Sequence, residues 1–140
     1  MAFTFVRNMI SPMSPIAPPK DVQKYQIDTD TVKAGNALYF VGNKVKNALD
    51  DSEVVCAIAL EAGGNDDWIR VQFVTPGSVF KCPINGTAAS VELGKTYQLN
   101  DSEELDQTSE HGPLSPIKVE DGNAWVVFNS TIFAMSDQTS

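Results

Sequence analysis

The chain has 140 residues and a formal net charge of −8, from 18 acidic against 10 basic side chains, and 42% of its residues are hydrophobic. That length suits one domain, large enough to bury roughly two thirds of its unfolded surface without metals or disulfides. The acidic balance excludes a binder of phosphate backbones, which needs a basic face, and favours solubility at high concentration.

Residues 1–24 stand apart from the rest. Phe3, Phe5, Val6, Met9, Ile10, Met13 and Ile16 are too apolar for a solvated linker. Pro12, Pro15, Pro18 and Pro19, four of the chain's eight prolines, fall within eight consecutive positions. So many prolines bar a helix and remove ladder donors from any central strand, leaving a stiff segment near polyproline II. An extended, apolar, pre-ordered arm suits docking along another protein. It equally suits folding back onto its own domain, and both readings stay open at this point. No apolar run reaches the length of a membrane helix. Residues 1–10 are broken by Arg7 and Asn8 and lack a small-residue cleavage pattern, so no signal peptide is expected.

From residue 25 to 135 the pattern is β, and residues 136–140 form a short C-terminal tail. Three turn dipeptides, Gly42-Asn43, Asn85-Gly86 and Asp121-Gly122, separate apolar runs and predict two-residue hairpins. They join residues 37–41 to 44–48, 79–84 to 87–93, and 117–120 to 124–128. Further strands are predicted at 54–60, 68–74 and 96–99. Ile69, Val71 and Phe73 alternate with Arg70, Gln72 and Val74. Residues 54–60 are nearly all apolar, which suits a strand covered on both faces or a short helix. Residues 61–67 and 101–114 are polar and turn-rich, and predict loops. No internal repeat is evident. Short strands with frequent turns predict an all-β fold, a compact β-sandwich or small β-barrel, carrying the extended proline-rich N-terminal arm.

Few residues suggest chemistry. His111, the single histidine, lies in a loop with no nucleophile motif beside it and reads as a surface side chain. Asp101, Glu103, Glu104 and Asp106 crowd six positions, but without the glycine-centred spacing of a calcium loop they read as a solvated run. The same holds for Asp50, Asp51 and Glu53, and for Asp66 and Asp67. Asn85-Gly86-Thr87 and Asn129-Ser130-Thr131 match the glycosylation acceptor pattern, although the hairpin accounts for the first. Trp68 and Trp125 sit in apolar strands and are expected in the core. Cys56 and Cys82 lie in separate apolar strands and are expected as free buried thiols. No catalytic residue, metal ligand or cofactor is implied.

The segments Val32-Lys33-Ala34-Gly35-Asn36-Ala37-Leu38-Tyr39-Phe40, Ala57-Ile58-Ala59-Leu60-Glu61-Ala62, Val71-Gln72-Phe73-Val74-Thr75-Pro76-Gly77 and Pro83-Ile84-Asn85-Gly86-Thr87 resemble the small β-rich head decoration (cement) proteins of tailed bacteriophages. The resemblance covers roughly residues 31–128 and leaves the proline-rich arm unmatched. It implies a non-enzymatic protein on the outside of an assembled capsid, made in the host cytoplasm. The implied partner is the major capsid protein, and the implied assembly a homotrimer or other homo-oligomer, with no nucleic acid and no membrane. On this reading Phe3, Phe5, Val6, Ile10, Pro12, Pro15 and Ile16 are the partner-binding residues. The competing expectation is a carbohydrate- or receptor-binding β-domain displayed on a virion or fibre, with Trp68, Asp66 and Asp67 as its patch.

Overall fold

A computed structural model describes residues 2–8, 22–49, 54–75 and 77–129. These residues form eleven strands: β1 (Thr4–Asn8), β2 (Val22–Ile27), β3 (Ala37–Val41), β4 (Lys44–Asn47), β5 (Ala57–Ala59), β6 (Trp68–Phe73), β7 (Ser78–Asn85), β8 (Tyr97–Asn100), β9 (Glu104–Glu110), β10 (Leu114–Glu120) and β11 (Asn123–Phe128). The single helical element among them is a 3-10 turn at Ala88–Ser90. The fold is all-β, as expected.

The strands make two small barrels in tandem. The first closes in the order β2-β4-β3-β5-β6. In the second, β7-β11-β10-β8-β9 closes through a further parallel pairing of β7 with β9, and β1 lies outside it against β7. The two barrels share one topology, strand for strand. Parallel β2–β4 matches parallel β7–β9, and every other pairing is antiparallel in both.

The registers match as well. Ile27 opposite Val45 corresponds to Ile84 opposite Leu105. Tyr25 opposite Ile69 corresponds to Cys82 opposite Ala124. Ala57 opposite Phe73 corresponds to Leu114 opposite Phe128. A shared Val-x-x-Gly precedes the second strand of each: Val32 with Gly35, and Val91 with Gly94, whose φ values are +92° and +95°. The repeat is faint in the sequence because few equivalent positions, such as Phe73 and Phe128, keep their identity. Tyr25 answers to Cys82, Leu38 to Tyr97, and Lys44 to Glu104.

Each barrel has its own core. Ile27, Leu38, Val45, Cys56, Ala57, Ala59, Ile69 and Val71 fill the first. Phe80, Cys82, Tyr97, Leu99, Leu105, Leu114, Val126 and Phe128 fill the second, which also takes Ala37, Ala48, Ile58 and Val74 from the outer face of the first barrel. Strand β5 is therefore buried on both faces, Ala57 and Ala59 inward and Ile58 toward the second barrel. Within residues 54–60, residues 57–59 are strand and none is helical. Ser102 locks the two barrels: its hydroxyl donates to the Ala48 carbonyl, and its own carbonyl accepts the Ala37 N–H at 2.8 Å.

Two hairpins form as expected. Val41 faces Lys44 across Gly42-Asn43, and Glu120 faces Asn123 across Asp121-Gly122. Three expectations are corrected. Asn85-Gly86 makes no hairpin: the chain leaves β7 through the 3-10 turn, because its barrel neighbour β9 runs parallel and requires a crossover. Residues 101–114 are not one loop, since β9 runs through the acidic stretch with Leu105 fully buried and Glu104 and Asp106 facing out. Of the expected arm, residues 9–21 lie outside the described residues, and the parts on either side belong to strands. Residues 4–8 are a strand of the body, paired with β7, and β2 begins at Val22.

Candidate partner-binding surface

Strand β1 meets the second barrel by one edge. Thr4 faces Lys81, Phe5 faces Phe80, Arg7 faces Val79 and Asn8 faces Ser78, with a bulge between Phe5 and Arg7. Ahead of the strand, the Phe3 N–H donates to the Gly35 carbonyl at 2.9 Å. The Phe3 ring lies 5.4 Å from Phe128, and Phe5 lies edge-on to Phe80 at 5.7 Å. A cavity of about 270 Å³ runs beside β1, walled by Phe3, Phe5, Gly35, Ile58, Gln72 and Phe80. Gln72 is buried there, and its Oε1 has no hydrogen-bond partner.

This placement alters the expected binding set. Phe3 is buried in the core of its own chain and Phe5 is partly buried against it, so neither is presented to a partner in this arrangement. The reason is apolar burial: the second barrel supplies Phe80 and Phe128 as an aromatic seat for both rings. Val6 faces solvent. Ile10, Pro12, Pro15 and Ile16 lie outside the described residues. The segment that carries them, residues 9–21, is joined at both ends to strands of the body, β1 before it and β2 after it.

The other candidates sort as follows. Trp68 is 62% exposed, against the expectation of a core side chain, because its register on β6 points it away from Ile69 and Val71. It follows Asp66 and Asp67, which are already engaged. Asp66 pairs with Lys44 at 3.0 Å, and Asp67 Oδ2 accepts the Gly64 N–H at 2.7 Å. Trp125 is half-buried on the outer face, flanked by the ammonium groups of Lys118 at 4.7 Å and Lys81 at 5.6 Å from its ring. A second hollow, of about 370 Å³, opens at the first barrel beside Tyr25, Phe40, Gly42 and Asn43, with Tyr25 and Phe40 edge-on at 5.2 Å. Sequence reasoning missed it; the alternation of aromatic side chains into a barrel mouth was its only signal.

His111 is exposed, in a turn where its backbone N–H bonds the Thr96 carbonyl. Among the described residues no three His, Cys, Asp or Glu side chains come together as a metal site. Cys56 and Cys82 are free and belong to different barrel cores, and burial pushes both thiols up to about 12. A backbone N–H from Arg70 at 2.6 Å holds the Glu61 carboxyl below its usual range, with the Arg70 charge adding to it. Lys95 is raised by its hydrogen bonds to Glu92 and Glu110. Among the described residues no helix is long and apolar enough to cross a membrane. In comparisons with known proteins, no family model and no curated sequence matches the chain.

Proposed function

We propose that this chain is a non-enzymatic decoration protein that binds the outside of an assembled phage head and stabilises contacts between capsomers. The observation that carries the reading is the segment 9–21. It holds four prolines with Met9, Ile10, Met13 and Ile16, and it is tied at both ends to an acidic all-β body. Tying both ends and stiffening the segment with proline lowers the entropy lost when it docks. Ile10, Pro12, Pro15 and Ile16, with exposed Val6 beside them, are then the residues that lie along the major capsid protein. Burying each large apolar side chain contributes roughly 1.5–3 kcal/mol. Many copies on one shell, as homotrimers or another homo-oligomer, convert weak single contacts into avidity. The test replaces residues 9–21 with a Gly/Ser segment of equal length and sediments the variant with heads that lack the protein. Loss of co-sedimentation by a folded variant is the expected result. Unchanged binding overturns the reading.

A second reading, a carbohydrate- or receptor-binding domain on a virion or fibre, draws support from the exposed Trp68 ring beside polar loop residues. Binding to a glycan array that disappears with Trp68→Ala favours it over the first.

A further inference from the structure

The repeat shows which part of the molecule is separable. The first barrel is complete with five strands. The second closes with five as well, and β1 is a sixth that adds along the exposed edge of β7. The equivalent edge of β2 carries no such strand among the described residues. Val22 there is 38% exposed, whereas its counterpart Val79, under β1, is 0% exposed.

The interiors differ to match. Tyr25 of the first barrel puts its own ring 6.0 Å from Phe73. The equivalent residue in the second barrel is Cys82, and two rings stand beside the equivalent Phe128: Phe80 of β7 at 5.7 Å and Phe3, from just ahead of β1, at 5.4 Å. A small side chain stands where the sister barrel has a tyrosine, and Phe3, just ahead of β1, joins the same core cluster as Cys82. The core of the second barrel thus takes side chains from outside its own five strands, Phe3 buried in it and Phe5 packed against it.

We propose that β1 is an exchangeable strand, and that the seat along residues 78–81 of β7 accepts residues 2–8 of a second copy of this chain. The occupant is argued from the tether. Thirteen residues, 9–21, separate β1 from β2, and fully extended they span about 43–47 Å. A body of this size has a radius of gyration of about 14 Å. Four prolines in that stretch disfavour a tight return and suit reach into a neighbour. Exchange preserves every β1 contact, so it costs little enthalpy and is favoured at high local concentration. The copies are then linked through their tethers.

Two measurements test this. Thr4 and Lys81 face each other across β1 and β7, and neither is buried. T4C and K81C are prepared as separate chains, mixed at high concentration and mildly oxidised. A T4C–K81C disulfide dimer that neither variant gives alone is expected. A mixture that stays monomeric, while the double variant T4C/K81C closes within one chain, overturns exchange. So does an equal yield of dimer from each variant alone. The second measurement deletes residues 1–8 and follows alkylation of the two thiols. Cys82 should react faster by roughly tenfold or more while Cys56 stays protected, and a synthetic peptide of residues 2–8 added in trans should restore protection. A folded deletion variant that the peptide leaves unprotected overturns the proposal. Should the deletion variant not fold, the disulfide pair decides.

Discussion

Ser102 offers the sharpest test of how the two barrels are held together. It sits in the turn between β8 and β9, fully buried, with a backbone φ of +66°. Its hydroxyl donates to the buried Ala48 carbonyl of the first barrel, and its own carbonyl receives the Ala37 N–H. Ser102→Ala keeps the backbone bond but strips the donor from a buried carbonyl, which costs about 1–3 kcal/mol. The left-handed backbone remains strained in the alanine variant. Ser102→Gly loses the same hydroxyl but relieves that strain, worth about 1–2 kcal/mol, against a loss of about 0.5–1 kcal/mol from greater freedom in the unfolded chain. The glycine variant should therefore lie above alanine, by roughly 0–1.5 kcal/mol. Urea unfolding followed by far-ultraviolet circular dichroism measures all three, with equal slopes showing that the unfolded state has not changed. An alanine variant within about 0.5 kcal/mol of wild type would remove the hydroxyl from the account of inter-barrel stability. A glycine variant below alanine would refute the strain.

Three further outcomes are expected. Gly122 takes a φ of +77° with open space around it, so Gly122→Ala should cost about 1–2 kcal/mol in backbone strain, offset by about 0.5–1 kcal/mol from the less free unfolded chain; a clear gain of stability in thermal unfolding would contradict the turn geometry. Both cysteine thiols are raised from 9.0 to about 12 in the folded chain, so their contribution is complete below pH 9 and is lost as pH rises toward 12. A Cys56→Ala/Cys82→Ala double variant should show a shallower alkaline decline in urea midpoint than wild type, and an identical decline would count against the assignment. Trp68→Ala should change stability by less than about 0.5 kcal/mol, and acrylamide should quench Trp68 more strongly than Trp125; a large loss of stability would mean that its ring is packed.

Local chemistry was legible in the sequence. The all-β class follows from period-two alternation, visible at Ile69, Val71 and Phe73, and from turn dipeptides that tolerate positive φ, visible at Gly42-Asn43 and Asp121-Gly122. Those signals act over a few residues, so residues near in sequence carry them whole. They state that a face is buried, not what buries it. Whether residues 4–8 form an arm or a sixth strand depends on Phe80 and Phe128, more than seventy residues away. The acidic run 101–106 reads as solvated until β8 and β7 flank it and take Leu105 inward. Trp68 and Ile69 are both apolar, and only the ladder with β2 decides which of them points out. The candidate site had the same limit: only the folded chain brings Phe3 into one core cluster with Cys82 and leaves Cys56 in the other. Barrel closure and the tandem repeat rest on two parallel pairings, β2 with β4 and β7 with β9, which no neighbouring turn specifies. Sequence alone determined the all-β class and the turns at Gly42-Asn43 and Asp121-Gly122, because backbone sterics and alternation are local. Tertiary structure alone decided closure, duplication and the fate of β1, because each depends on which distant surface an apolar face meets.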